Sequence, residues 1–148
     1  MKKRNGTMNG MRRSGKMRLG VLEKKIILAL YIFRLQNRPK LELRKTWWSN
    51  ETFSGYDVRE ILKFLRIPLI QKAFTEAIPN SVYYALKRLE EKGLIKRFSG
   101  YYEYDRKMIA ELTEKGERIA KKLMEQIART VSHFMHILKA AQMEVVAK

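Results

Sequence analysis

The stretch Ile78–Thr113, IPNSVYYALKRLEEKGLIKRFSGYYEYDRKMIAELT, leaves this chain few ways to fold. Val82, Leu86 and Leu89 recur at helical spacing with Ala85 beside them, so one face of Asn80–Lys92 is apolar. Asn80, Ser81, Tyr84, Lys87, Arg88 and Glu91 fall on the other faces. Gly93 stands just past the last periodic residue and after Lys92, where a helix is expected to stop. A β-rich segment starts at Leu94, crosses Ser99–Gly100 and a tyrosine-rich charged tip, and returns through Met108–Leu112.

A helix with a polar, basic outer face followed directly by a β-hairpin is how a winged helix-turn-helix meets DNA. The run NSVYYALKRLEEKGLIKR resembles the recognition helix of the PadR family of transcriptional regulators, AELTEKGERI its wing-closing strand and the turn into its last helix, and SGYDVREILKFL the helix before the recognition helix. Together the matched pieces span Val21 to Leu123. The patterns Leu-x-x-x-Gly-Leu-Ile and Leu-Thr-x-x-Gly are shared with MarR-like and other winged helices. The resemblance implies that Tyr83 is the family's tyrosine, that Tyr84 stands where a proline is expected, and that two copies pair through the C-terminal helix. The expected fold is mainly α with a small β-hairpin wing: a winged helix-turn-helix plus a long C-terminal dimerisation helix.

Charge sharpens the expectation of a partner. A chain of 148 residues suits one domain plus an extension, but its formal net charge is +17. Each Lys or Arg laid on a phosphate releases a condensed counterion, so a chain this basic is expected to meet a polyanion, here double-stranded DNA. A generally basic, solvated surface is the alternative reading of the charge. With no cysteine, disulfides, thiolate zinc sites and cysteine nucleophiles are excluded. No run approaches the roughly 20 apolar residues of a spanning helix, and the basic N-terminus lacks a signal peptide's apolar core. No membrane partner is expected, and the expected location is cytoplasmic, associated with the nucleoid.

Three parts are expected. Residues 1–20 hold seven Lys/Arg, four Gly and no acid, and are read as a flexible basic arm that tracks phosphates or enters a minor groove, or as a plain disordered leader. Residues 21–113 form the DNA-binding domain and 114–148 the dimerisation helix. Val21–Leu35 is a helix buried on more than one side. Gln36–Phe53 is the hardest part to read. Leu41–Arg44 alternates like a short strand, and the connection is longer than the family resemblance implies. Trp47 and Trp48 cannot face the same way in a regular element; one is expected in the core, the other covering a loop or stacking on a base or partner. Ser54 and Asp57 suggest a capping box opening a helix with Val58, Ile61, Leu62 and Leu65 on its buried stripe. Ile67–Ala77 links that helix to the next and has room for a short helix of its own.

The recognition helix is expected to read base edges through its N-terminal outward residues. Asn80 can pair with adenine, and Ser81 with a base or a phosphate. Tyr83 and Tyr84 offer a hydroxyl and an apolar ring, with partial burial the alternative for Tyr83. Lys87 and Arg88 read guanine or grip phosphate. Arg59 and Lys63 on the preceding helix are expected at the backbone. So are Lys96, Arg97, Tyr102, Arg106 and Lys107 of the wing, where Tyr101, Tyr102 and Tyr104 either face DNA or alternate between packing and solvent.

In Glu114–Val146 the residues Ala120, Met124, Ile127, Val131, Phe134, Leu138, Ala141 and Val145 recur in steps of four and three, an apolar heptad seam. A second copy is expected to cover Met124, Ile127, Val131, Phe134, Leu138, Ala141 and Val145. His133 and His136 lack the further ligands a metal needs, so no metal or other cofactor is expected. No titratable cluster suggests an enzyme. Dimeric winged-helix regulators often hold a small-molecule effector between domain and dimer helix, but no residue here names one. The reading is a homodimeric, sequence-specific transcriptional regulator. Its rivals are an architectural or chromatin-type DNA binder of low specificity and a replication or maintenance protein of a plasmid or virus.

Overall fold

The computed structural model describes residues 18–147, with side chains described through Glu144. The basic arm therefore lies outside the described residues up to Met17, as does the side chain of Val145. The order of elements is α1 (Val21–Leu35), β1 (Leu41–Arg44), β2 (Thr52–Asp57), α2 (Val58–Phe64), β3 (Ile70–Lys72), β4 (Thr75–Ala77), α3 (Asn80–Glu91), β5 (Ile95–Tyr102), β6 (Asp105–Leu112) and α4 (Glu114–Ala147).

Three helices and the inner side of the sheet share one core. Helix α1 supplies Ile26, Ile27, Ala29, Leu30 and Phe33, α2 supplies Val58, Ile61 and Leu62, and α3 supplies Val82, Ala85, Leu86 and Leu89. Leu94, Ile95, Ala110 and Leu112 close it from the wing, and Ala120 from the first turns of α4. Helix α3 ends as its sequence dictates. Gly93 adopts φ +76°, a left-handed conformation that glycine takes without a Cβ clash. The amides of Gly93 and Leu94 then donate to the carbonyls of Glu90 and Leu89, both at 3.0 Å, satisfying the end of the helix.

The β content exceeds a single small wing. The wing itself is regular: β5 and β6 pair antiparallel from Ile95↔Leu112 to Tyr102↔Asp105. Beside it, β1 and β2 form a second hairpin, Leu41↔Gly55 to Arg44↔Thr52. The strands run in the order β1-β2-β6-β5 and close on themselves, because β1 returns to β5 at Arg44↔Tyr101. Phe53 stacks on Phe98 with ring centroids 3.8 Å apart. Leu43 and Ile109, opposite Phe53 and Phe98 in the two registers, are buried outside the main core. They make a second, small core between the hairpins. Gly100 permits the closure: a Cβ there would lie 2.2 Å from the carbonyl oxygen of Arg44.

Three local expectations fail for identifiable reasons. Ser54 does not open a helix; it belongs to β2, and Asp57 is the cap, its carboxylate accepting from the Arg59 amide at 3.0 Å. The link before α3 holds the hairpin β3–β4, turning through Ala73 at φ +42°, rather than a helix. Neither tryptophan is in the core. Trp47 and Trp48 are 57% and 68% exposed and meet edge to face at 5.2 Å.

Candidate nucleic-acid interface

Pro79 caps α3, its carbonyl accepting from the amides of Val82 and Tyr83 at 3.0 Å. With Val82, Ala85, Leu86 and Leu89 turned inward, Asn80, Ser81, Tyr83, Tyr84 and Lys87 all stand exposed on the remaining surface of the helix. The rings of Tyr83 and Tyr84 meet edge to face at 5.7 Å. The result is a helix end with a carboxamide, a hydroxyl, two hydroxyphenyl rings and a lysine on its exposed side.

Arg88 keeps 51% of its side chain exposed but is tied on one side to the first helix. Its Nε donates to Glu23 of α1 at 2.8 Å, and the Lys92 ammonium holds the other carboxylate oxygen at 2.6 Å. Glu23 is only 4% exposed and is the one buried charged residue among those described. Burial pushes its carboxyl up, but the hydrogen bonds and charges of Lys92 and Arg88 outweigh that and hold it below the ordinary carboxylate value. Lys92 also donates to the carbonyl of Arg18, fixing the entry to α1 against the end of α3. The clasp therefore sets the angle at which α3 is presented.

Arg97, by contrast, is turned inward rather than outward on the wing. Its side chain is 15% exposed, donates to Glu90 at 3.0 Å and lies with its guanidinium 5.0 Å from the Tyr83 ring centroid. It positions Tyr83 against the wing. Arg59 is half-buried and donates to the Glu76 carbonyl at 2.9 Å, pinning β4 to α2. Lys63 remains exposed beside Glu60 at 3.4 Å.

The outer part of the wing keeps its cations. Lys96 and Arg106 are exposed and Lys107 is half-buried. Arg106 lies 5.5 Å from the Tyr101 ring across the hairpin, while Tyr102 and Tyr104 project at the tip. Two further tips stand exposed, and only the first carries a residue that the sequence offered as a stacking surface. One is the β1–β2 turn with Arg44, Lys45, Trp47 and Trp48; the other is Phe74 at the β3–β4 turn. The signal for the first was present: a short alternating strand running into two basic residues and an aromatic pair.

Helix α4 runs on past the domain. Ile119 and Leu123 pack against the core, but every side chain from Glu125 to Glu144 is exposed, including Ile127, Val131, Phe134, Leu138 and Ala141; Met124 is half-buried. A groove of about 400 Å³ between α1 and α4 is lined by Val21, Leu28, Leu123, Ile127 and Val131, with Lys24 and Lys25 at it. Among the described residues no helix is long and apolar enough to cross a membrane, and no cluster of three His, Asp or Glu is placed to hold a metal.

No family model and no curated protein matches the chain. Among solved structures, that of a point mutant of ZitR from Lactococcus lactis, a winged-helix regulator, is similar with a TM-score of 0.52 at 19% identity. The likeness covers 82% of this chain and 62% of that one, so the match spans less than two thirds of ZitR. It is a likeness of fold: the arrangement of α1–α3, wing and long terminal helix is winged-helix-like.

Proposed function

We propose that this winged-helix chain is a sequence-specific double-stranded DNA-binding transcriptional regulator that works as a homodimer, of the kind the PadR-like motifs suggest. The observation that carries the reading is the two-sidedness of α3. Its apolar residues are spent in the core, while Asn80, Ser81, Tyr83, Tyr84 and Lys87 are left outward at the end that enters a groove in helix-turn-helix proteins. The net charge of +17 supports a phosphate-rich partner. Lys63, Lys96, Arg106 and Lys107 supply backbone contacts. Arg59 and Arg97 act on the surface from behind, holding β4 and Tyr83 in place, while Arg88, tied to Glu23 yet half exposed, stands at its edge.

Pairing of two copies is supported by the seam on α4, where Phe134 and Leu138 stand 59% and 56% exposed in a single copy. Apolar side chains repeated at heptad spacing along so long a helix favour a facing helix. A twofold pair would set two α3 helices about one DNA turn apart.

Selection of bound sequences from random duplex DNA at two salt concentrations tests the reading. A discrete, two-part consensus that persists at the higher salt is expected. Uniform recovery of sequences, fading as salt rises, would replace it with the architectural reading that the charge alone favours. No recovery would remove DNA altogether.

A further inference from the structure

Resting on the DNA-binding reading above, we propose that the β3–β4 hairpin is a spur on the sugar–phosphate wall of the groove that α3 enters, with Lys72 on a phosphate and Phe74 against the neighbouring sugar. The hairpin fills the link between α2 and α3. In helix-turn-helix proteins the start of the second of these helices meets the bases, and the first crosses the backbone. Here Arg59, in the first turn of α2, donates to the carbonyl of Glu76 at 2.9 Å. Strand β4 then leads through Ile78 and Pro79 straight into Asn80, the first residue of α3. The beginnings of both helices are therefore gathered at the foot of the hairpin. Lys63, one helical turn on from Arg59, stands exposed on the same side of α2.

The foot is fixed and the tip is free. Leu69 and Ile78, which flank the two strands, pack against the core. Between them Ile70↔Ala77, Gln71↔Glu76 and Lys72↔Thr75 pair antiparallel, and Ala73 at φ +42° makes the turn. A two-stranded hairpin barely holds in water by itself, so this one depends on its anchored foot and keeps the direction the foot gives it. Every residue from Ile70 to Glu76 is exposed, and the Phe74 ring, at 101%, rests on nothing in the chain. At about 3.3 Å per paired residue, the turn stands about 10 Å from the start of α3. A major groove is about 12 Å wide, so a helix end lying in it has a wall about 6 Å to either side. The turn has the reach of that wall.

The chemistry matches it. Lys72 brings a cation to the turn, while the hairpin's one acid, Glu76, lies nearer the foot and accepts from Gln71 Nε2 at 2.8 Å. A ring beside a cation suits a deoxyribose beside its phosphate. The foot shared with α3 favours duplex DNA over a protein partner.

The chain has no cysteine, so Phe74→Cys and Ser81→Cys each offer a single thiol for a benzophenone maleimide. The full-length labelled chains are irradiated with an end-labelled, mixed-sequence duplex of about three helical turns, and adducts are read on a denaturing gel. Adducts from both positions are expected. Adducts from position 81 alone overturn the spur and leave the DNA reading standing; adducts from neither remove both. Affinity across a salt series then separates contact from mere nearness. Lys72→Ala is expected to lower the slope of log affinity against log salt by about one. Phe74→Ala is expected to bind about tenfold more weakly at an unchanged slope. Both should keep the circular dichroism of the native chain. Unchanged affinity and slope in both variants overturn the proposal even where position 74 forms adducts.

Discussion

At the scale of single residues, the clasp around Glu23 separates cations that fix the fold from cations free to touch a partner. Glu23→Gln keeps the shape but weakens two charge-assisted hydrogen bonds, at a cost of about 1–3 kcal/mol in urea unfolding at neutral pH. The folded carboxyl titrates below its unfolded value, so its stabilisation is present above about pH 4.3 and is lost as pH falls through the folded pKa. The gap between native chain and variant should therefore close in acid unfolding curves. The same geometry splits two neighbours. Lys87→Ala should weaken DNA binding by about 1–3 kcal/mol if it reads a base, with little effect on unfolding. Arg88→Ala should lower stability and affect binding only through the setting of α3. Equal losses of affinity with unchanged stability would put both on the duplex.

Among the elements, the closed sheet depends on a close backbone approach at Gly100. Gly100→Ala forces a Cβ against the Arg44 carbonyl, so β1 must move; a loss of about 1–3 kcal/mol is expected in denaturant unfolding. An unaltered midpoint would show that the closure of the sheet contributes nothing. Elements with a strong period were legible in the sequence. Helix α1 begins and ends where its apolar residues do, α3 is delimited by Pro79 and Gly93, and the wing follows at once. The first hairpin was half legible. Leu41–Arg44 alternates, but its partner strand carries Ser54 and Asp57 at capping-box spacing, and a local pattern cannot reveal that Phe53 is held by Phe98, forty-five residues on. Strands β3 and β4 are short and almost wholly exposed, so no alternation marks them. At the site, exposure of Asn80, Ser81, Tyr84 and Lys87 follows from helical phase alone. The tie of Arg88 to Glu23 and the inward turn of Arg97 onto Tyr83 do not, because those partners lie on elements that meet only in the folded chain.

For the molecule as a whole, the question is what α4 does beyond its own domain. Replacing Phe134 and Leu138 together with Asp should give monomers by sedimentation velocity, with the domain still folded; a dimer that survives moves the interface off the seam. The helix spans about 50 Å at 1.5 Å per residue, and beyond the groove with α1 every side chain from Ser132 to Met143 is exposed in a lone copy. A helix of that length standing by itself in water is marginal, since its backbone hydrogen bonds barely offset the entropy of ordering it. On the proposed pairing, winding and association form a single equilibrium: dilution is expected to unravel the rod from its far end, so that ellipticity measured across a concentration series gauges how many chains have found a mate.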